Sequence, residues 1–532
     1  MKTILQHGKI YIEEGCFKQA MVIENGIITF VGDDEIALSY VDDQTTIIDL
    51  QQKTVVPGFN DSHLHFYSTA LALSAVDCMG ATSIMDVIER GKHFLKQHPD
   101  HQGLLWGRGW NQDYFQDEKR LMDRHDLDQI STAIPIVFAR ACGHVVAANT
   151  KALTLARITP STKVEGGHVG VDESGELTGV LSENAIKLLE VLKGKLTVSY
   201  VIDQLKKVSK VANAYGITSV QTNDITVGND DHAIIEEAYK TWAREDATVK
   251  VYHQICFKDL DALKERIQQG YDRDDHPYNR YGPLKLFTDG SLGARTAFLR
   301  QPYHDDPSTV GIPTMTQKEI KDFVKVAHDG DIQIAMHAIG DAAMDMVLRA
   351  YETHVDQENI LRHGIIHCQI TDMPILRRMK DHNIMAYLQP IFLHYDMHIV
   401  EDRVGSSLAA TSYAFYTMDK LQIHVAYGTD APVEPMDVIH CIHCAVNRQD
   451  LHGYPKEGFY PDEKVSVESA IDHYTIDGAY ASFEETIKGR LLPGYVADLV
   501  VLDKDIFSID PSDILSVNID MTMVDGKIVY QR

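Results

Sequence analysis

Hydrophobic and polar positions alternate along this chain in two ways. At the N-terminus, short apolar runs are broken by turn residues: Lys9-Ile10-Tyr11-Ile12, then Ala20-Met21-Val22-Ile23-Glu24, then Ile27-Ile28-Thr29-Phe30-Val31-Gly32. Asn25-Gly26 joins the last pair and predicts a hairpin, because a tight type I′ turn needs positive φ at both central residues. The C-terminus repeats the pattern in Leu499-Val500-Val501-Leu502 and Met521-Thr522-Met523-Val524. Neither set of strands can bury both faces alone, so they are expected to complete one small β-sandwich domain, residues 1–57 with 488–532.

Between these ends, apolar strand-like runs alternate with stretches of amphipathic helical spacing such as 233–244 and 318–329. Eight runs qualify as strands, at 54–59, 217–222, 249–256, 283–288, 332–337, 364–367, 384–389 and 424–429. Alternation of this kind is the pattern of parallel βαβ units. The expected fold class is α/β, a (β/α)8 TIM barrel over residues 58–487 with chemistry at the C-terminal strand ends. The first and second runs lie too far apart for a single crossover, so an insertion of about residues 100–185 is expected after barrel strand 1. It contains strand-like pieces at 104–107 and 134–139 and a Gly-rich hairpin near 166–179, and would hang over the barrel mouth.

Composition narrows the class. The length of 532 residues suits one large domain with appendages, and 44% hydrophobic content describes a globular protein. A formal charge of −27 argues against nucleic acid or anionic lipid as partners and leaves a small-molecule substrate. Seven cysteines, an odd number, do not form a disulfide framework, the first residues lack the apolar core of a signal peptide, and no apolar run is long enough for a bilayer. A cytoplasmic protein with no membrane partner is expected, and the sandwich and barrel flank offer surface for a homodimer. Cys441-Ile442-His443-Cys444 has a helical setting and no second such pair, so it is read as structural rather than as a zinc or redox motif.

The candidate chemistry begins at Pro57-Gly58-Phe59-Asn60-Asp61-Ser62-His63-Leu64-His65. On a strand, residues two apart share a face, so His63 and His65 can reach one cation together. Lys285, His337, His367 and Asp430 each belong to another apolar run, after strands four, five, six and eight of the expected barrel. Each has an ordinary alternative: core histidine for His337 or His367, an Asx turn for Asp430, a salt bridge to Asp289 or a substrate contact for Lys285.

His63-Leu64-His65, Met336-His337-Ala338-Ile339-Gly340-Asp341, Ile366-His367-Cys368-Gln369 and Gly428-Thr429-Asp430-Ala431-Pro432 occur in an order that resembles the amidohydrolase superfamily. The run from Lys285 to Ala297, Ala141-Cys142-Gly143-His144 with Asn149, and the run from Gly494 to Val500 are similar to the branch that includes N-substituted formamide deformylases. The resemblance spans nearly the whole chain. It implies a metal-dependent hydrolase of C–N bonds in which His63 and His65 bind one divalent ion with Asp430, and His337 and His367 bind a second. Lys285, N6-carboxylated, would bridge the two. Asp430 would be the catalytic general acid/base, and zinc the first expected metal, with iron, manganese or cobalt suited to the same donors.

Substrate contacts are expected from His144, from Trp110 with its neighbours Asn111 and Gln112, and from Asp289 and Arg295; Trp110 would serve equally as core of the insertion, and Asp289 and Arg295 as loop anchors. Two other readings stand beside the amide hydrolase: a mononuclear hydrolytic deaminase of the same superfamily, which Lys285 argues against, and a non-catalytic scaffold, which the complete ligand set argues against.

Overall fold

The hairpin expected at Asn25-Gly26 forms, with φ of 52° and 85° at its two central residues and antiparallel pairing of Ala20–Glu24 with Ile27–Gly32. In the computed structural model, which describes residues 2–116, 118–141, 144–271 and 276–532, these strands lie in a four-stranded sheet with Lys2–Gln6 and Thr45–Asp49. A six-stranded sheet mixes the two ends of the chain, with strand order Lys527–Gln531, Ile519–Val524, Leu499–Leu502, Thr54–Pro57, Lys9–Glu13, Cys16–Lys18. One buried cluster gathers Leu5, Met21 and Ile23 from the first sheet with Val55, Leu499, Val501, Met521 and Met523 from the second. This is the sandwich of both termini, held by apolar burial that neither terminal segment achieves alone.

The barrel strands are β1 (Phe59–Leu64), β2 (Ile217–Val227), β3 (Lys250–Phe257), β4 (Arg280–Phe287), β5 (Ile334–Ala338), β6 (Gly364–His367), β7 (Met385–Leu388) and β8 (Val425–Tyr427). Each pairs in parallel with its sequence neighbour, from β1 through β8. The helices expected at 233–244 and 318–329 appear as His232–Glu245 and Gln317–Asp329, the second started by a capping box between Thr316 and Glu319. The fold is therefore α/β, a (β/α)8 barrel.

The first strand departs from expectation. Residues 54–57 serve the sandwich, pairing with Leu499–Leu502, and the barrel strand starts only at Phe59. Apolar content pointed to 54–59, but β1 is a barrel strand with a polar interior: Asn60, Asp61, Ser62 and His63 are all buried. Gly58 allows the handover, since a Cβ there would lie 2.3 Å from the Thr218 hydroxyl oxygen of β2.

By compactness the chain forms two units, Met1–Tyr67 with Val198–Arg532, and Ser68–Thr197. The second leaves after β1 and holds a mixed sheet in the order Gly167–Val171, Leu177–Glu183, Val145–Ala148, Ile136–Arg140, Leu105–Trp110, Val76–Asp77. Ile136 and Phe138 enter one of its apolar clusters, Val137 and Ala139 the other, so both sheet faces are covered. No helix among the described residues is long and apolar enough to cross a membrane. The described cysteines are free thiols, and Cys441, His443 and Cys444 are buried on the helix Val438–Asn447, where His443 bonds Asn447 and the Asp450 carbonyl.

Candidate metal centre

β1 and β8 meet at the mouth through their ends. The Asp430 amide donates to the His63 carbonyl and the His65 amide to the Ala431 carbonyl, each at 2.8 Å. Asp61 clips the same seam, accepting from the Thr429 amide, from the Thr429 hydroxyl at 2.6 Å and from the His63 amide at 3.2 Å. Gly428 must lack a side chain here, because a Cβ would sit 2.6 Å from the His63 nitrogen. The seam brings Asp430 Oδ1 to 3.4 Å from His63 Nε2 and 3.3 Å from His65 Nε2. Asp430, His367 and Cys368 hold positive φ of 58°, 78° and 47°, a concentration of backbone strain at two strand ends.

Partners behind the imidazoles fix their tautomers. His63 Nδ1 lies 2.6 Å from Gln254 Oε1, and the Gln254 amide is oriented by its own Nε2 donating to the Ser62 carbonyl. His65 Nδ1 lies 2.8 Å from the Asn223 carbonyl. His367 Nδ1 lies 2.7 Å from Gln389 Oε1, whose amide donates to the Tyr387 carbonyl. Each partner accepts only, so each Nδ1 carries the proton and each Nε2 presents a lone pair. For His337 the assignment reverses: Nε2 is 3.1 Å from the Gly290 carbonyl and 3.2 Å from Asp289 Oδ1, both acceptors, so Nε2 carries the proton and Nδ1 the lone pair. Its ring centroid is 4.5 Å from that of His367, and the His367 ring is 5.7 Å from that of His63.

Lys285, buried on β4, points its Nζ at His63 Nε2, 3.3 Å away, and over the Phe287 ring. Burial lowers its pKa to about 8. Burial also holds His63 and His367 well below the ordinary imidazole value, helped by the neighbouring Lys285 and histidines. For His65, burial works in the same direction, but the Asp430 carboxylate beside its Nε2 outweighs it and raises the pKa. Burial pushes the Asp61 carboxyl up to about 7 against its hydrogen bonds. His63, His367 and Asp430 place ligand atoms within 4.8 Å of one another. Among the described residues, buried Asp430 Oδ1 has no hydrogen-bond partner, so the lone pairs of neutral His63 and His367 face carboxylate lone pairs, an arrangement that suits a cation.

The remaining expected contacts sit as follows. Asp289 is buried and accepts from the amides of Ile339, Gly340 and Phe298, which ties the loop after β4 to the loop after β5; Lys285 is not its partner. Arg295 forks onto Asp305 at 3.1 and 2.8 Å. In the second unit Trp110 is core, donating its indole N–H to the Phe138 carbonyl, while Asn111 and Gln112 bind Arg140. His144 is exposed and lies 3.2 Å from Glu183; Cys142 and Gly143 of its motif fall outside the described residues. Sequence reading missed Gln254, Gln389, Asn223 and Asp61. The one signal for the first of these is a polar residue inside an apolar strand.

Residues 46–530 match the Amidohydrolase family. The chain belongs to that family. Among proteins it resembles, the YtcJ protein of Bacillus subtilis (strain 168) is 32% identical over all of both chains. The N-substituted formamide deformylase of Arthrobacter pascens is 28% identical, over 97% of this chain and 95% of its own. A solved structure, an uncharacterized metal-dependent hydrolase from Pyrococcus horikoshii OT3, superposes with a TM-score of 0.78 at 29% identity, over 96% of this chain and 99% of that one. This amidohydrolase carries at its barrel mouth a His/His/Asp group able to hold an ion.

Proposed function

We propose that this amidohydrolase cleaves an amide-type C–N bond of a small molecule on a centre of two divalent cations bridged by N6-carboxylated Lys285. The observation that carries the reading is the convergence of imidazole Nε2 atoms on Asp430 Oδ1, which is buried without a hydrogen-bond partner among the described residues, with a buried lysine beside them that likewise has no carboxylate partner there. His63, His65 and Asp430 would hold one ion, and His337 through Nδ1 with His367 through Nε2 the other. Zinc is the first choice, and iron, manganese or cobalt accept the same donors.

An ammonium has no lone pair to give. Burial favours the neutral amine of Lys285, whose nitrogen forms a bond to the carbon of carbon dioxide and loses one proton, leaving a carbamate with two oxygens. The ions, when bound, polarise the substrate carbonyl and acidify a water. Asp430 takes a proton from the water as its oxygen adds to the carbonyl carbon, and returns a proton to the nitrogen as the C–N bond breaks; amide and water become acid and amine. His63 and His367, held neutral with Nδ1–H bonded outward, do not compete for that proton. The likeness to a formamide deformylase makes N-substituted formamides the first substrates to try.

Elemental analysis of chelator-free protein tests the centre. About two ions per chain are expected, and Lys285→Ala should lose metal and activity together, with partial rescue by a short carboxylic acid. Unchanged metal content in that variant would reject the bridge. About one ion per chain in the unsubstituted protein would favour a mononuclear, deaminase-like site, and none after reconstitution a scaffold.

A further inference from the structure

The loop after β8 carries a carboxylate for which the proposed centre has no use. Glu434 follows a turn closed by the Val433 amide donating to the Asp430 carbonyl at 2.9 Å. Its side chain is half-buried, and among the described residues it makes no hydrogen bond or ion pair. Burial, then the charges of Asp396 and Asp430, push its carboxyl up to about 8, which places it in the field of both. Asp396 ends the short helix Leu393–Asp396 beyond β7 and accepts from the Tyr413 hydroxyl at 2.6 Å and from Gln369 Nε2 at 2.7 Å.

Gln369, just past His367 of β6, is an independent sign that a ligand belongs here. It is 4% exposed; its Nε2 is committed to Asp396 and Tyr413, and its Oε1 is buried without a partner among the described residues. The two ends of one amide are separated by a single carbon, so this orphaned acceptor lies beside the Asp396 carboxylate. The cation acting on Asp396, Arg403, is bound by Asp305. Among the described residues the cluster leaves Gln369 Oε1 and Glu434 without a donor, and Arg403, though its Nε is buried without a partner, is bound through Nη1 to Asp305 rather than to either of them; a half-buried carboxylate left in that state costs free energy.

We infer that Glu434 is a specificity-determining residue that binds a cationic, hydrogen-donating group of the substrate, an ammonium or guanidinium on a chain attached to the scissile amide. This rests on the amide-hydrolase reading above. A charge-assisted hydrogen bond to Glu434 would offset the cost of burying it, with Gln369 Oε1 as a second acceptor.

The test compares binding of 6-aminohexanamide and hexanamide to the metal-loaded protein by calorimetry. The charged amide should bind at least about tenfold more tightly, and in Glu434→Gln, which keeps the shape and removes the charge, the ratio should fall to near one. Glu434→Asp should keep part of the preference, which separates loss of charge from loss of fold. Equal affinities in the unsubstituted protein, binding of neither probe, or a preference that survives Glu434→Gln would overturn the inference. Hydrolysis of the two amides is followed separately, so a chain that binds them selectively without cleaving them would sink the hydrolase reading and keep Glu434 as a cation-binding residue.

Discussion

Gln254 joins the Ser62 carbonyl to His63 Nδ1 through the two ends of one amide, and Gln389 joins the Tyr387 carbonyl to His367 in the same way. The backbone of the barrel thereby dictates which nitrogen of each imidazole is free. Gln254→Ala should weaken metal binding by about 10–100-fold with the fold retained, read by competition with a chromophoric chelator; unchanged affinity would show that His63 needs no such orientation. Asp430→Asn keeps a ligand oxygen and removes the proton acceptor, so turnover should fall by about 10²–10⁴ with thermal stability retained, and near-normal turnover would reject the proton-transfer role. The candidate ligands were legible because histidine and aspartate at the ends of apolar runs are chemically conspicuous. The glutamines were not, because a lone polar residue in a strand acquires its meaning only from what lies across the barrel.

Among the elements, β1 shows where periodicity misleads. An apolar run marks burial without saying which core receives it, and Thr54–Pro57 went to the sandwich while the polar Phe59–Leu64 closed the barrel. The helices before and after β8 show a different device. His473 on the helix Val467–Tyr474 bonds Asp419 on Phe415–Lys420 at 2.9 Å and Asp477 on Ile476–Ala481 at 2.7 Å, one carboxylate per ring nitrogen. Burial opposes the charge, but the hydrogen bonds of Asp419 and Asp477 outweigh it and raise the pKa from 6.5 to about 10. A folded-state pKa above the unfolded one contributes stability that is complete below pH 6.5 and lost as pH rises through about 10. Urea unfolding should therefore show stability declining over that interval by on the order of a few kcal/mol, and His473→Gln should flatten the decline; parallel pH profiles for the two proteins would reject the clamp.

On the scale of the whole molecule, the C-terminal segment is tied to the barrel by Lys250. Its Nζ, on β3, bonds Asp498 at 2.6 Å and Asp525 at 2.7 Å, so one buried cation holds two C-terminal carboxylates. Lys250→Ala would leave them unpaired and should destabilise the fold by about 3–5 kcal/mol, measured by urea denaturation; a change within about 0.5 kcal/mol would show that solvent replaces the lysine freely. The sequence by itself determined the alternation of strands and helices, the sandwich shared between the termini, the insertion and the order of the metal-ligand candidates, because these follow from local periodicity and residue chemistry. Only the tertiary structure decided where the barrel begins, which nitrogen each histidine presents, that Asp289 holds backbone amides rather than Lys285, and that Glu434 stands without a partner among the described residues. Those properties depend on contacts between residues distant in sequence, which no local pattern encodes.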